Sequence, residues 1–392
     1  MPSVYIHIPF CQSRCIYCDF YSTTHIARQQ QYIDCLLREM EQRANEWELL
    51  EDGERSADDK TLLRARTLSI YIGGGTPSTL PPALLVRLLN ETVRLFPPIE
   101  GAEITVEANP DDVTDEWIEA LKQTPANRIS MGVQTFDDTL LHTLRRRHSS
   151  QQAIQAVDRL QKAGYHNISI DLIYGLPGQD IEGWAKDVDK ALSLHVPHLS
   201  AYSLMYEEGT PIMRMLERGE VQEMADEESW KCYELLCDRL AEAGYRHYEI
   251  SNFALPGHHS RHNSGYWDGT PYLGFGAGAH SYDGKHLRRS NVASLSEYIE
   301  AFEQKEGKGY YDTERLTDTD LYNEFVMTRM RTSKGVSADE ICSRFGAATL
   351  RHFSKMIEPH LQKGNLLQMG PQVSLSRKGI FVSNDVISDL FL

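Results

Sequence analysis

Short apolar runs rich in Val and Ile alternate along the chain with stretches whose apolar positions recur every three to four residues. The runs VYIHI (4–8), TLSIYI (67–72), AEITVEA (102–108), NRISMGV (127–133), HNISIDLIYG (166–175) and HLSAYSL (198–204) read as strands. The intervening stretches predict helices near 28–48, 81–95, 111–123, between 137 and 163, near 180–193 and again after 204. Strand–helix units in that order predict a parallel sheet with helices outside it. Six units fall short of a closed (β/α)8 barrel. The expected fold class is therefore α/β, a partial (β/α)6 TIM-like barrel.

The segment 46–66, EWELLEDGERSADDKTLLRAR, is charge-dense and reads as a solvated helix end and loop. Beyond residue 240 the alternation breaks down. Residues 245–290 are rich in Gly, His and aromatics, and an irregular segment of that kind points to a binding site rather than a linker. The stretch EQKEGKGYYDT (303–313) marks a boundary, giving a first domain over 1–305 and a second over 306–392. The second carries helical patterns at 316–331, 336–345 and 347–363, then a hairpin and a last helix. That is a small, mainly helical module of winged-helix type.

Charge narrows the function. The chain has 392 residues, 56 acidic against 40 basic, and a net charge of −16. A field of that sign repels phosphate backbones, so nucleic acid is not expected as a partner. The C-terminal module has a shape often seen on DNA, yet it carries ten Lys/Arg and ten Asp/Glu over 310–392 and is neutral. No run approaches the ~18 apolar residues that span a bilayer. The opening residues lack the basic start of a signal peptide, so the expected location is cytoplasmic.

Seven cysteines, an odd number, do not read as a disulfide framework. Three of them, Cys11, Cys15 and Cys18 in CQSRCIYC, crowd onto the loop after the first strand. A structural zinc site needs four ligands, normally in two separated pairs, and a ferredoxin cluster needs four thiolates. Three thiolates on one loop suit a 4Fe–4S cluster with one iron left open, which is useful only if a small molecule coordinates it. Cys35, Cys232, Cys237 and Cys342 lie in helical patterns and read as small hydrophobes.

Further polar positions stand at strand ends. GGGTPS (73–78) follows TLSIYI directly; it lets the backbone approach a ligand, or is simply a tight turn. Glu107 in EANP, Gln134 in GVQTF and Asp171 in IDLIYG end successive strands, and the C-terminal ends of parallel strands converge on one mouth. Each alone reads equally as a helix cap. Together they predict a shared site.

The cysteine triplet, with Tyr17 before its last member and a first strand opening a partial barrel, resembles the radical S-adenosylmethionine (SAM) superfamily. The resemblance implies a 4Fe–4S cluster on Cys11, Cys15 and Cys18 whose fourth iron is closed by SAM, and reductive cleavage of SAM to a radical. YIHIPFC, GGGTPS, EANP, GVQTF and IDLIYGLPG together are similar to the oxygen-independent coproporphyrinogen III oxidase family and its relatives, over roughly 1–375. Carried over from that family, the SAM contacts are Tyr5, Gly74, Gly75, Thr76, Glu107, Gln134 and Asp171. Arg146, twelve beyond Gln134, is a further one, with Arg145 and Arg147 leaving its register open by one. Met205 and His280, the latter in GFGAGAHS, are expected there on the same grounds.

Two functions follow from the resemblance. One is an oxidase that decarboxylates porphyrinogen propionates. The other is a haem chaperone of the HemW type, which binds haem and passes it to an acceptor protein. Three departures favour the chaperone. Phe20 stands where the oxidases carry a further cysteine; Tyr5 leaves no room for their N-terminal extension; and HNSGYW (262–267) matches a motif associated with the chaperone branch. The expected haem-binding residues are His262, as iron ligand, with Asn263, Tyr266 and Trp267 packing beside it. The competing reading of His262 is a hydrogen-bonded structural histidine, or one of a helical pair with His258. The acceptor is an unidentified protein, free or membrane-associated.

Overall fold

The computed structural model describes residues 1–44 and 66–392. The charge-dense stretch read as a helix end and loop lies, Arg66 apart, outside the described residues. Six strands take the expected places: β1 (Ser3–Ile8), β2 (Thr67–Gly74), β3 (Pro98–Ala108), β4 (Arg128–Gln134), β5 (Ile168–Tyr174) and β6 (His198–Ser203). They pair in parallel and in chain order. The chain returns between them through α1 (Gln29–Arg43), α2 (Pro82–Leu95), α3 (Asp115–Leu121), α4 (Asp138–Thr143), α5 (Ser150–Lys162) and α6 (Ile181–Ser193).

Local chemistry sets the helix starts. Asp137 accepts from the N–H groups of Thr139 and Leu140 at the head of α4, and Asp180 from Gly183 at the head of α6. Ser149 and Gln152 form a reciprocal capping box on α5.

The strands sort their side chains by face. Val4, Ile6, Ile8, Ile70, Ile72, Val106, Ile129 and Met131 are fully buried in one core beneath the helices. The alternate positions carry polar groups, and Tyr5, His7, Tyr71, Glu107, Arg128 and Ser130 line an internal lumen instead.

The segment beyond 240 is more regular than its composition suggests. After α7 (Pro211–Glu217) and α8 (Asp226–Glu242), β7 (Arg246–Glu249) and β8 (Asn252–Ala254) form a hairpin that joins β6 antiparallel. Then α9 (Arg261–Asp268) leads to β9 (Tyr272–Phe275), which pairs with β1 in parallel and adds a seventh parallel strand. Beyond it β10 (His280–Tyr282), β11 (Leu287–Asn291), α10 (Leu295–Gln304) and β12 (Tyr311–Arg315) follow, the strands extending that edge antiparallel. Among the described residues the sheet has twelve strands and runs on to Arg315. Strands of three to five residues are too short to show an alternation of their own, so sequence periodicity misses them.

Helix α9 packs against β2 at the end of the strands opposite the cysteine loop. Glu103 of β3 accepts from the backbone N–H groups of Arg261 and His262 at its first turn, placing a carboxylate on the positive end of the helix. The lumen is thereby closed below and open above.

The C-terminal unit has its own core, with Tyr322, Phe325, Phe353, Val373 and Val386 buried together. It comprises α11 (Asp318–Met330), β13 (Val336–Ser337), α12 (Ala338–Gln362), the hairpin β14 (Leu366–Met369) and β15 (Gln372–Leu375), and the short α13 (Arg377–Phe381) and α14 (Ser383–Ser388). The two helices expected at 336–345 and 347–363 are present within 338–362, separated at Gly346, whose φ of 86° is outside the helical region.

Candidate functional site

The three cysteines stand on the loop between β1 and α1, over the open end of the lumen. Ile16 pins the loop: its N–H donates to Leu144 O at 3.4 Å, its carbonyl accepts from Ile212 N–H at 3.0 Å, and its side chain is buried with Leu144, Leu204 and Ile212. With Ile16 held inward, Cys11, Cys15 and Cys18 line the cavity mouth as free thiols. Two polar contacts reach their sulfurs. Arg146 Nη1 donates to Cys15 Sγ at 3.3 Å, and Thr76 Oγ1 lies 3.5 Å from Cys11 Sγ. Burial pushes both the Cys11 and Cys18 thiols up, Cys18 to about 11. Burial thus holds Cys11 and Cys18 protonated at neutral pH until a metal displaces the proton.

The Gly-rich turn closes one wall of the cavity. Gly74 has φ 114°, and a Cβ there would come within 2.6 Å of the His7 ring. A Cβ on Gly75 would meet Phe10 O at 2.8 Å. Both positions need glycine because backbone and ring occupy the space of a side chain. The Gly74 N–H donates to Glu107 Oε2 at 3.1 Å, and the Tyr71 hydroxyl to Glu107 Oε1 at 2.7 Å. Burial pushes Glu107 up to about 7 and Asp171, at the next wall but one, up to about 6.

Glu107, Gln134 and Asp171 do not cap helices; Thr114, Asp137 and Asp180 do. Instead all three line one cavity of about 430 Å3, together with Tyr5, Gly74, Gly75 and Thr76. Gln134 holds a φ of 71°, a backbone conformation non-glycine residues seldom adopt, and one found where a site over-determines it.

The three neighbouring arginines, all on the cavity lining, make different contacts. Arg146 Nη2 donates to Gly132 O at 2.6 Å and to Asn109 Oδ1, besides its bond to Cys15. Arg147 turns to Asp111 and Asp112 at 3.2 and 2.9 Å, and Arg145 is exposed. Arg146 is the one that reaches from β4 to the cysteine loop.

Three soft thiol donors facing a cavity, two of them in hydrogen-bond contact at the sulfur, fit an iron–sulfur cluster. Among the described residues no three His, Cys, Asp or Glu side chains are placed to hold a single metal ion. The carboxylates, glycine backbone and arginine beside them fit a zwitterionic amino-acid ligand of the cluster.

The family model of the Radical SAM superfamily matches residues 5–191, and that of the HemN C-terminal domain matches 316–382. The solved coproporphyrinogen III oxidase (HemN) of Escherichia coli has the same fold, with a TM-score of 0.82 over 100% of this chain and 90% of its own at 22% identity. The Heme chaperone HemW of Lactococcus lactis subsp. lactis is 35% identical over 390 residues, 100% of this chain and 97% of its own. The Heme chaperone HemW of Bacillus subtilis is 35% identical over 389 residues, 98% of each chain. The chain belongs to the HemW family.

Within this HemW-family chain two groups of expected residues are placed differently from the sequence reading. His280 is exposed on strand β10 and does not line the cavity, whereas Met205 stands exposed at its mouth. The HNSGYW stretch, expected as one haem surface, is divided by the geometry of α9. His262 is 2% exposed; its Nδ1 lies 2.9 Å from Ser69 Oγ and its Nε2 3.0 Å from Tyr266 Oη. Both ring nitrogens are engaged, so neither is open to an iron in this arrangement. Tyr266 is edge-on to His262 and Tyr272, and Trp267 lies under Arg331 of the C-terminal unit, 5.4 Å from guanidinium to ring centroid. Of the four, Asn263 lines the cavity. His258 precedes the helix and makes no helical pair with His262.

The sequence reading passed over His7, Tyr71, Arg128 and Ser200, all of which line the cavity. Polar residues at every second position of otherwise apolar parallel strands were the available signal, because such strands are ordinarily apolar on both faces.

Proposed function

We propose that the protein binds haem and passes it to an acceptor protein, and that it carries a 4Fe–4S cluster on Cys11, Cys15 and Cys18 with SAM at the open iron. The observation that carries this reading is the full-length likeness, 35% identity over 390 residues, to a protein named Heme chaperone HemW. Cluster and SAM, when bound, supply one-electron chemistry. The residues around them bind and orient. Arg146 donates to a cysteine sulfur and would lower the electron density there. Gly74, Gly75 and Thr76 offer backbone to the amino-acid end of SAM, and Glu107, Gln134 and Asp171 offer polar partners to the rest. Met205 reaches the same ligand from the rim. Phe20, exposed beside the cavity mouth, adds apolar surface where a thiolate would add charge.

The test is an anaerobic titration of reconstituted protein with haem, followed by absorbance, beside an incubation with SAM, reductant and coproporphyrinogen III. Saturable haem binding without porphyrinogen decarboxylation is expected. Decarboxylation at a catalytic rate with no haem binding would replace this reading by the oxidase one.

A further inference from the structure

The lumen holds a buried charged group one of whose N–H groups has no hydrogen-bond partner among the described residues. Arg128, on β4, is 1% exposed and lines the cavity. Its Nε has no hydrogen-bond partner among the described residues, and the ion pair it makes, to Glu103 Oε2, is 3.9 Å long. Glu103 is already engaged by the first turn of α9, accepting from Ser260 Oγ, Arg261 N–H and His262 N–H at 3.4, 3.0 and 3.1 Å. It has little need of the guanidinium. A buried guanidinium held only by one long ion pair is short of hydrogen-bond acceptors, and an acceptor brought in by a ligand is favoured there. An arginine's planar fork is matched by a carboxylate. Asn263, at the start of α9, faces the same closed end of the cavity and adds an amide.

The mouth of the cavity offers apolar surface among charged side chains such as Arg14 and Asp19. At the mouth stand two apolar side chains, Phe20 at 66% and Met205 at 62% exposure. Deeper in stand Glu107, Ser130, Asp171 and Ser200, and Arg128 lies at the bottom. An apolar ring system gains by resting on the rim and loses by entering the polar lumen. A flexible carboxylate arm does the reverse.

We propose that Arg128 receives a carboxylate of the ligand that enters the lumen. On the haem reading above, on which this inference rests, that carboxylate is a propionate of the haem. Asn263 is then the residue of the HNSGYW stretch that meets the ligand.

The test compares haem with haem dimethyl ester, in which both propionates are blocked, on wild-type protein and on the Arg128→Met and Arg128→Lys variants. Binding is read by absorbance, SAM affinity by equilibrium dialysis, and folding by thermal unfolding. Wild type is expected to prefer haem over the diester by about tenfold, the scale of one charge-assisted contact. Arg128→Met should lose that preference with SAM affinity unchanged, and Arg128→Lys should keep part of it. An unchanged preference in Arg128→Met, or a loss of SAM binding alone, overturns the inference. Should Arg128→Met fail to fold, the wild-type and Arg128→Lys preferences decide: equal affinity of wild type for haem and diester overturns it. Wild type that binds neither ligand overturns the haem reading itself, a result distinct from equal binding of both.

Discussion

Glu107 is where the site and the stability of the fold are set against each other. Its carboxyl is held from an ordinary 4.5 up to about 7, mainly by burial, with Asp171 adding repulsion. A rise of that size corresponds to about 3 kcal/mol, at ~1.4 kcal/mol per pH unit. The carboxyl is partly open to the cavity, and water there screens the charge, so we expect about 1–2 kcal/mol to be realised. The sign follows from proton binding. Between pH 4.5 and about 7 the folded protein holds a proton that the unfolded chain has released, so stability falls as pH rises. Above about pH 7 the full cost is present.

Glu107→Gln removes the charge and keeps both contacts. Its carbonyl can accept from the Gly74 N–H and its amide can donate to the Tyr71 hydroxyl, which turns round to accept. Urea unfolding of metal-free protein should show the variant more stable by about 1–2 kcal/mol at pH 8, with the gain vanishing near pH 5. SAM binding by the reconstituted variant should weaken. A variant less stable than wild type at pH 8, or a difference that does not change with pH, would refute the reasoning.

Three further outcomes are expected. Alanine at any one of Cys11, Cys15 or Cys18 should remove nearly all cluster iron and its visible absorbance, while Cys35→Ala, in a helix core, should keep both; retained cluster in the first set ends the assignment. Gly74→Ala, at φ 114° and with its Cβ pressed on the His7 ring, should cost about 1–3 kcal/mol in denaturant unfolding and abolish SAM binding in dialysis; an unperturbed variant would mean the turn is not constrained as described. His262→Ala leaves the Ser69 and Tyr266 hydroxyls without their partner in a buried place, and should lower stability by about 2–4 kcal/mol with haem affinity of the folded protein unchanged. Lost haem affinity at unchanged stability would instead make His262 a ligand.

What the linear sequence carried was local. Strand and helix periods predicted the six parallel units, because alternation and capping are set by neighbours within a few residues. The cysteine spacing and the Gly-rich turn were legible for the same reason: each is one short loop whose chemistry lies in consecutive residues. Parallel strand order then brought Glu107, Gln134 and Asp171 to one mouth, as strand-end positions must be.

What the tertiary structure decided involves pairs far apart in the chain. Arg146 is distinguished from Arg145 and Arg147 by where Cys15 and Gly132 stand, which no spacing reveals. His262 reads as a haem ligand in a motif and as a hydrogen-bonded plug in the fold, because Ser69 lies under it from a strand nearly two hundred residues earlier. Arg128 looks like the polar start of a strand until the curved sheet surrounds it and Glu103 is taken up by α9. Burial and partnering are properties of the assembled lumen. The sequence by itself determined which groups the protein possesses and the order in which strands deliver them; packing alone determined which of those groups are already satisfied and which still face a ligand.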